Sequence, residues 1–320
     1  MKNVLSCDWG TSNFRIRLIR IENEEIIDEI FTAEGISSTH NNWMNSGRNR
    51  EEFYSRIIQN NIIELQRKAC ADLENIPVLI SGMASSSLGI RELDYAGLPF
   101  SSDGSSAGLT RITVDGFKHE IFLISGVRSD NDVMRGEETQ WLGLIQGEQL
   151  KNESELLFIL PGTHAKHLQI KSRQLVSFRT YMTGEFFNLL STSSVLKNSV
   201  IHGESMNTKG DEAAFIEGVK AAQGSSILHE SFLVRTNELF QKFSRQQNTF
   251  YLSGLLIGSE LQDVAGSKIV LAAAASLLKP YQLALEYLGA GNRVITISPG
   301  SLDKAVIQGQ LIIFNQNIQQ

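Results

Sequence analysis

An α/β fold built twice over is what this chain predicts, and three observations predict it. Short apolar strands alternate with stretches of helical spacing along the whole length. The order strand, Gly-Thr loop, strand, strand occurs once near the start and again after residue 155. Between the halves lies the charged stretch GEQLKNESE, residues 147–155, a fair domain junction. At 320 residues the chain is long enough for two domains, each with its own core. The expected division is 1–150 and 151–320.

In the first half, Val4 to Cys7 reads as a short buried strand. It runs into the loop CDWGTSN, which carries more polar groups than a turn requires. Phe14, Ile16 and Leu18 then alternate with Arg15 and Arg17, the pattern of a half-buried strand. A third strand runs from Ile26 to Thr32 and ends near Gly35. Asn49, with Glu52 three residues on, caps a helix that carries Phe53, Ile57, Ile58, Ile62, Leu65 and Ala69. Pro77 starts the strand Val78-Leu79-Ile80, which enters SGMASSSLG. The Gly/Ser-rich stretch SSDGSSAG, 101–108, predicts a mobile loop. Ile121 to Ile124 is a strand, and SGVRSDNDVMRGEETQ leads from it into a helix with Trp141, Leu142 and Ile145.

In the second half, Leu156 to Leu160 is an apolar strand followed by PGTHAKH. Return strands at His167–Ile170 and Gln174–Phe178 precede a helix opened by TYMTGEFFNLL. Helices are expected at 211–222, 228–243 and 250–264. A strand at 268–273 leads into a helix through PYQLALEYLG. A strand at 293–297 precedes a last helix near Ser301, with Leu302, Val306, Gly309 and Ile313 on a core face.

Composition narrows the function. The apolar and charged fractions are those of a soluble globular protein. Net charge is −6, and no Lys/Arg cluster suggests a nucleic-acid surface, so a small-molecule partner is expected. Cys7 and Cys70 are the only cysteines. They make neither a disulfide framework nor a zinc knuckle, which points to a reducing cytosol. The apolar run before Asp8 is too short for a signal segment, and no stretch approaches a membrane span. There is no P-loop motif and no Rossmann fingerprint. The DWG tripeptide begins at residue 8, too early for the kinase tripeptide that follows a catalytic loop.

A hairpin loop rich in Gly, Thr, Ser and Asn can gather backbone N–H groups into an anion-binding nest. An aspartate inside such a loop repels phosphate, but it suits Mg²⁺ held through bound water. Either loop alone could be an ordinary polar hairpin. Its recurrence after a buried strand in both halves favours phosphate.

Two Gly-Thr hairpin loops in a duplicated chain resemble the actin, sugar kinase and Hsp70 superfamily. DWGTSNFR, SGMASSSLG, DVMRGEETQ, LPGTHAKH, TYMTGE and FYLSGLLIGSE occur in the order found in 2-dehydro-3-deoxygalactonokinases. The resemblance runs from residue 4 to about residue 300. It implies two ribonuclease-H-like domains of the actin-like ATPase fold around a cleft. It implies ATP and Mg²⁺ as cofactors, and phosphorylation of the terminal 6-hydroxyl of 2-dehydro-3-deoxy-D-galactonate in galactonate breakdown. It places Asp8, Gly10, Thr11, Ser12 and Asn13 in the first phosphate loop, with Asp8 on the metal. Gly162, Thr163, His164 and Lys166 form the second. Ala274, Ala275 and Ser276 would meet the adenosine, although the superfamily usually has glycines there.

Phosphoryl transfer to an alcohol also needs a group near the hydroxyl to take its proton. Asp132 is expected just before the helix that follows, and in the sugar kinases that the chain resembles an aspartate at such a junction is the base. Glu137 and Glu138 compete, since related phosphohydrolases carry a catalytic glutamate in a similar GEE stretch; all three acids could instead simply favour a helix N-terminus. Arg135 suits a substrate carboxylate or a structural ion pair. Ser85, Ser86 and Ser87 follow a strand end where α/β sheets place ligands. Glu185 could orient substrate or metal, or be a solvated first-turn acid. His164 and His167 lack the other ligands a zinc site needs. Trp9, Trp43 and Trp141 suit packing. Two other readings stand beside the kinase: an exopolyphosphatase-type phosphohydrolase on the same fold, and a non-enzymatic ATP-binding regulator. The expected partner is a sugar acid in the cytoplasm, with neither nucleic acid nor membrane, and a homodimer is left open.

Overall fold

The computed structural model describes residues 2–203, 205–224, 226–264 and 266–318. The chain divides into two compact units. The first comprises residues 1–154, 171–177 and 300–320, and the second 155–170 and 178–299. The first boundary between the units, after residue 154, falls within the charged stretch 147–155, and residues 300–320 belong to the first unit. The last helix returns to the first unit.

In the first unit, β1 (Asn3–Trp9), β2 (Phe14–Arg20) and β3 (Glu25–Thr32) form an antiparallel meander, followed by α1 (Ile36–Met44) and α2 (Arg50–Ala69). As read from the sequence, the Asn49 side chain caps α2 by accepting from the Glu52 N–H. β4 (Val78–Gly82) ends in a 3₁₀ turn, Met83–Ser85. β5 (Phe100–Ser101), β6 (Leu109–Ile112), β7 (Ile121–Ile124), the hairpin β8 (Val127–Arg128) and β9 (Val133–Met134), and α3 (Glu137–Leu144) follow. The sheet order is β3-β2-β1-β4-β7-β6.

In the second half of the chain, β10 (Glu155–Leu160), β11 (Ala165–Lys171) and β12 (Gln174–Tyr181) form the corresponding meander, of which residues 171–177 fall in the first unit. The helices α4 (Thr183–Ser193), α5 (Lys209–Ala222), α6 (Ile227–Leu239) and α7 (Arg245–Glu260) come next. β13 (Lys268–Ala272), α8 (Ala275–Tyr287) and β14 (Val294–Ile297) complete the unit, and α9 (Pro299–Ile318) ends the chain. The strand order β12-β11-β10-β13-β14 repeats β3-β2-β1-β4-β7. The duplication read from two Gly-Thr loops is thus a duplication of topology.

Period-two alternation explains both layers of the first unit. Leu5, Cys7 and Trp9 point to a core shared with Tyr54, Ile58 and Ile62 of α2. Val4, on the other face, packs with Ile307, Leu311 and Phe314 of α9. Helix α9 reaches this position through close helix–helix contact. A Cβ on Gly309 would lie 1.8 Å from the Thr139 carbonyl oxygen of α3, so only glycine fits.

Two expectations are corrected. The stretch 101–108 is anchored, not mobile. Phe100 and Ser101 pair with Leu175 and Gln174, Ser102 and Ala107 are buried, and Gly104 packs on Ile312 and Ile313. Helices α5 and α7 also begin earlier than apolar spacing indicates. Capping boxes at Thr208/Asp211 and Ser244/Gln247 set their starts, and such caps satisfy orphan N–H groups before the first core residue.

Candidate active site

In the first unit, β1 delivers Asp8 to the sheet end and Trp9 back into the core. Trp9 is fully buried, donates through Nε1 to the Glu34 carbonyl, and meets Phe14 edge-on at 4.9 Å. It packs and is no stacking platform. The Gly10 N–H closes the turn onto the Asn13 carbonyl at 2.9 Å, and Thr11, Ser12 and Asn13 are exposed. The start of α1 braces the loop from behind. The N–H groups of Ile36 and Ser37 donate to the Gly10 and Thr11 carbonyls at 3.0 and 3.1 Å. A Cβ on Gly35 would lie 2.2 Å from the Ser12 carbonyl carbon.

The second unit repeats the device. The Glu185 N–H donates to the Thr163 carbonyl at 3.0 Å, and a Cβ on Gly184 would lie 2.6 Å from the Gly162 carbonyl oxygen. Each Gly-Thr loop thus leans on the first turn of the helix after the third strand. Gly35 was not singled out from the sequence. Its equivalence to Gly184, each just past a third strand, is the signal that could have found it.

Around Asp8 the charges are dense. Arg15 lies opposite it on β2, and Ser81 beside it on β4. Asp303 of α9 pairs with Arg15 at 2.9 Å and Arg17 at 3.5 Å, and Arg17 also pairs with Glu29 at 3.0 Å. Burial raises the Asp8 pKa from its ordinary value. Arg17 and Arg15 oppose that rise, and Glu137 and Asp303 add to it. Gln310, also on α9, donates through Nε2 to the Cys7 carbonyl at 2.8 Å and to Ser81 Oγ at 2.9 Å. It ties β1 to β4 just before Asp8. Neither Asp303 nor Gln310 was found from the sequence, although a glutamine breaking an apolar helical stripe was a usable signal.

The three candidate bases are in different settings. Asp132 is not at a helix start: it ends the turn between β8 and β9, is partly exposed, and accepts from the Val133 N–H at 2.7 Å. Glu137 opens α3, is partly exposed, and accepts from the Arg135 N–H at 3.1 Å. Glu138 is turned inward and is 1% exposed. It accepts from the Gly136 N–H at 2.8 Å and from Thr139 Oγ1 at 2.9 Å. Burial, with the Glu137 charge second, raises its pKa to about 7.

That shift predicts a pH-dependent stability. The folded protein binds the Glu138 proton more tightly than the unfolded chain, whose value is near 4.5. The contribution is full below pH 4.5 and is lost as pH rises to about 7, a span of roughly 3 kcal/mol. Urea unfolding of Glu138→Gln and wild type at pH 5 and pH 8 checks it. The variant is expected to gain on wild type at the higher pH, and a pH-independent difference would refute the assignment.

Arg135 donates to Ser85 Oγ at 2.8 Å and to the Leu93 carbonyl at 3.0 Å, and its guanidinium lies 3.9 Å from the centre of the Tyr95 ring. Ser85 and Arg135 are therefore brought together. Ser86 is buried and donates to the Met83 carbonyl at 2.8 Å, whereas Ser87 is exposed.

In the second unit, a pocket of about 410 Å³ has Gly162, Thr163, Thr183 and Gly184 among its lining residues, together with Ser276, Pro280 and Tyr281 of α8. Of the expected adenosine contacts, Ser276 lines the pocket. Ala274 caps α8 and Ala275 is its first residue. The segment Ile201-His202-Gly203 also lines it and carried no readable motif. His164 is exposed and pairs with Glu185 at 2.6 Å. Lys166 is 3% exposed and donates to the His164 carbonyl, so it lies within the fold and is not presented by the loop. His167 is buried against Glu260 at 2.9 Å. Among the described residues, no three His, Cys, Asp or Glu side chains gather as a metal group.

Two sheets of one strand order, each with a Gly-Thr loop after its first strand, define the actin-like ATPase and sugar-kinase fold. The chain belongs to the 2-keto-3-deoxy-galactonokinase family, whose profile it matches over residues 8–311. It is 35% identical over 228 residues to the 2-dehydro-3-deoxygalactonokinase of Escherichia coli K12, covering 68% of this chain and 72% of that one. A Sinorhizobium meliloti crystal structure, provisionally named for the same activity, superposes with a TM-score of 0.78 at 25% identity, over 98% of this chain and 96% of that one. The ADPNP-bound activator of the 2-hydroxyisocaproyl-CoA dehydratase from Clostridium difficile shares the fold alone, with a TM-score of 0.50, 11% identity, and coverage of 99% and 97%.

Proposed function

We propose that the protein is an ATP- and Mg²⁺-dependent kinase that phosphorylates the terminal 6-hydroxyl of 2-dehydro-3-deoxy-D-galactonate. The observation that carries this reading is the pair of helix-braced Gly-Thr loops in a chain of this family. The loop 10–13 and the loop 162–164 each offer N–H groups and hydroxyls to phosphate oxygens. The pocket beside Gly162 takes the nucleoside, with Ser276 at its α8 wall. Ser85 and Arg135 hold the sugar-acid carboxylate; Arg135 is already oriented by Ser85 and Tyr95.

Asp8 and Glu137 fit a hydrated divalent cation. The Glu137 charge acts on Asp8, and both side chains are partly exposed. When bound, Mg²⁺ neutralises phosphate charge as the transfer proceeds. Asp132 takes the proton from the substrate hydroxyl. Glu138 is buried into the start of α3 and supports its geometry. Asp303 and Glu29 hold Arg15 and Arg17 in pairs of their own, which leaves Asp8 available. A cytoplasmic location fits the two unpaired cysteines. Among the described residues no helix is long and apolar enough to cross a membrane.

An ADP-release assay over a panel of 2-keto-3-deoxy acids tests the proposal. ADP release is expected to require a sugar acid and to be fastest with the galactonate derivative. ATP hydrolysis indifferent to every acid would instead restore the phosphohydrolase reading.

A further inference from the structure

The motif FYLSGLLIGSE ends in Glu260, which no step above uses. Its carboxylate is 4% exposed at the C-terminal end of α7. This is an expensive place for an anion, since burial and the negative end of a helix both oppose charge there. Three donors surround it. His167 Nε2 donates at 2.9 Å to Oε1, Tyr281 Oη at 2.7 Å to Oε2, and Thr183 Oγ1 also to Oε2. Burial, then the Glu260 charge, raises the Tyr281 phenol well above its ordinary value, so it stays a donor.

The donors come from three elements. Thr183 opens α4, whose Gly184 abuts the Gly162–Thr163 loop. Tyr281 lies on α8, five residues after Ser276, and His167 lies on β11. Thr183 and Tyr281 line the pocket, whereas His167 is not among its lining residues.

We infer that Glu260 is a positioning residue for the nucleotide: it locks the helix that braces the second phosphate loop to the helix that lines the nucleoside pocket. Residues of LPGTHAKH, TYMTGE and FYLSGLLIGSE thereby converge on one carboxylate. The inference rests on the nucleotide reading of this pocket and adds the residue that sets its shape. A carboxylate supplies acceptors on both oxygens to all three donors. A glutamine supplies one acceptor oxygen and turns an NH₂ group toward the others.

Calorimetric titration with ADP and with a non-hydrolysable ATP analogue, alongside steady-state kinetics, decides the matter. Glu260→Gln is expected to weaken nucleotide binding roughly ten- to hundredfold, the range for stranding buried donors. Its kcat at saturating ATP is expected to stay within about threefold of wild type, because a positioning loss of this kind falls on KM. His167→Leu, which strands one Glu260 oxygen, should weaken nucleotide binding in the same direction. His167→Gln, which restores a donor, should recover most of the affinity. If Glu260→Gln does not fold, the His167 pair decides. Unchanged nucleotide affinity in folded variants overturns the inference, as does a loss confined to kcat. A wild-type protein that binds neither nucleotide overturns the pocket reading and the inference with it.

Discussion

Replacing Asp8 with asparagine is expected to leave a folded protein whose turnover falls by about a thousandfold. Folding should survive because burial already works against the Asp8 charge. Asparagine is nearly the same size and removes that cost. The Cys7 backbone is held by Gln310 independently of the Asp8 side chain. Turnover should fall because, on the proposed reading, the carboxylate beside the first Gly-Thr loop holds hydrated metal there. Losing about 4 kcal/mol of charge stabilisation corresponds to roughly that factor. Nucleotide affinity should weaken mainly when Mg²⁺ is present. Kinetics across a Mg²⁺ titration, with calorimetry of ATP with and without the metal, measure both effects. Wild-type turnover together with wild-type Mg-ATP affinity would remove Asp8 from the metal.

The second large effect is expected at Asp132. Asp132→Asn should bind ATP and the sugar acid nearly as wild type does. Its kcat should drop by roughly a hundred- to ten-thousandfold, the span for losing a general base. The surroundings separate the three acids. Glu138 is buried against Gly136 and Thr139, so its carboxylate serves the start of α3. Glu137 lies within the field of Asp8. Asp132 is partly exposed in a hairpin turn. Glu138→Gln should therefore change stability more than turnover, and Glu137→Gln should raise the Mg²⁺ requirement with a smaller loss in kcat. Single-turnover rates for the three variants order them. A Glu138→Gln protein that loses more than Asp132→Asn would move the base into the GEE stretch.

Much of the local architecture is legible without coordinates, because strand and helix periods are short-range signals. The strand at residues 14–18, the Asn49 cap and the two Gly-Thr turns each depend on neighbours within a few residues, although the half-buried reading of that strand fails because Arg17 and Ile19 are buried on its other face. The duplication is legible for the same reason, since one local pattern occurs twice. Helix ends were less legible. Capping boxes at Thr208 and Ser244 lie outside the apolar stripe that marks a helix. The Gly/Ser run 101–108 misled because composition records flexibility of the free chain, not the packing of Gly104 on α9.

By itself, then, the sequence determined the elements, their twofold order, the two Gly-Thr loops and the family to which the chain belongs. Tertiary structure alone decided which side chains those elements bring together. Only packing returns α9 to the first sheet, where Asp303 and Gln310 meet strands 288 and 303 residues earlier. Only packing turns Glu138 inward while Glu137, its neighbour, stays near Asp8. And only packing closes three separate motifs around Glu260. The physical reason is the same each time. Secondary structure follows from backbone and side-chain preferences within a turn or two. The charge, exposure and partners of a side chain follow from which distant segment excludes water from it.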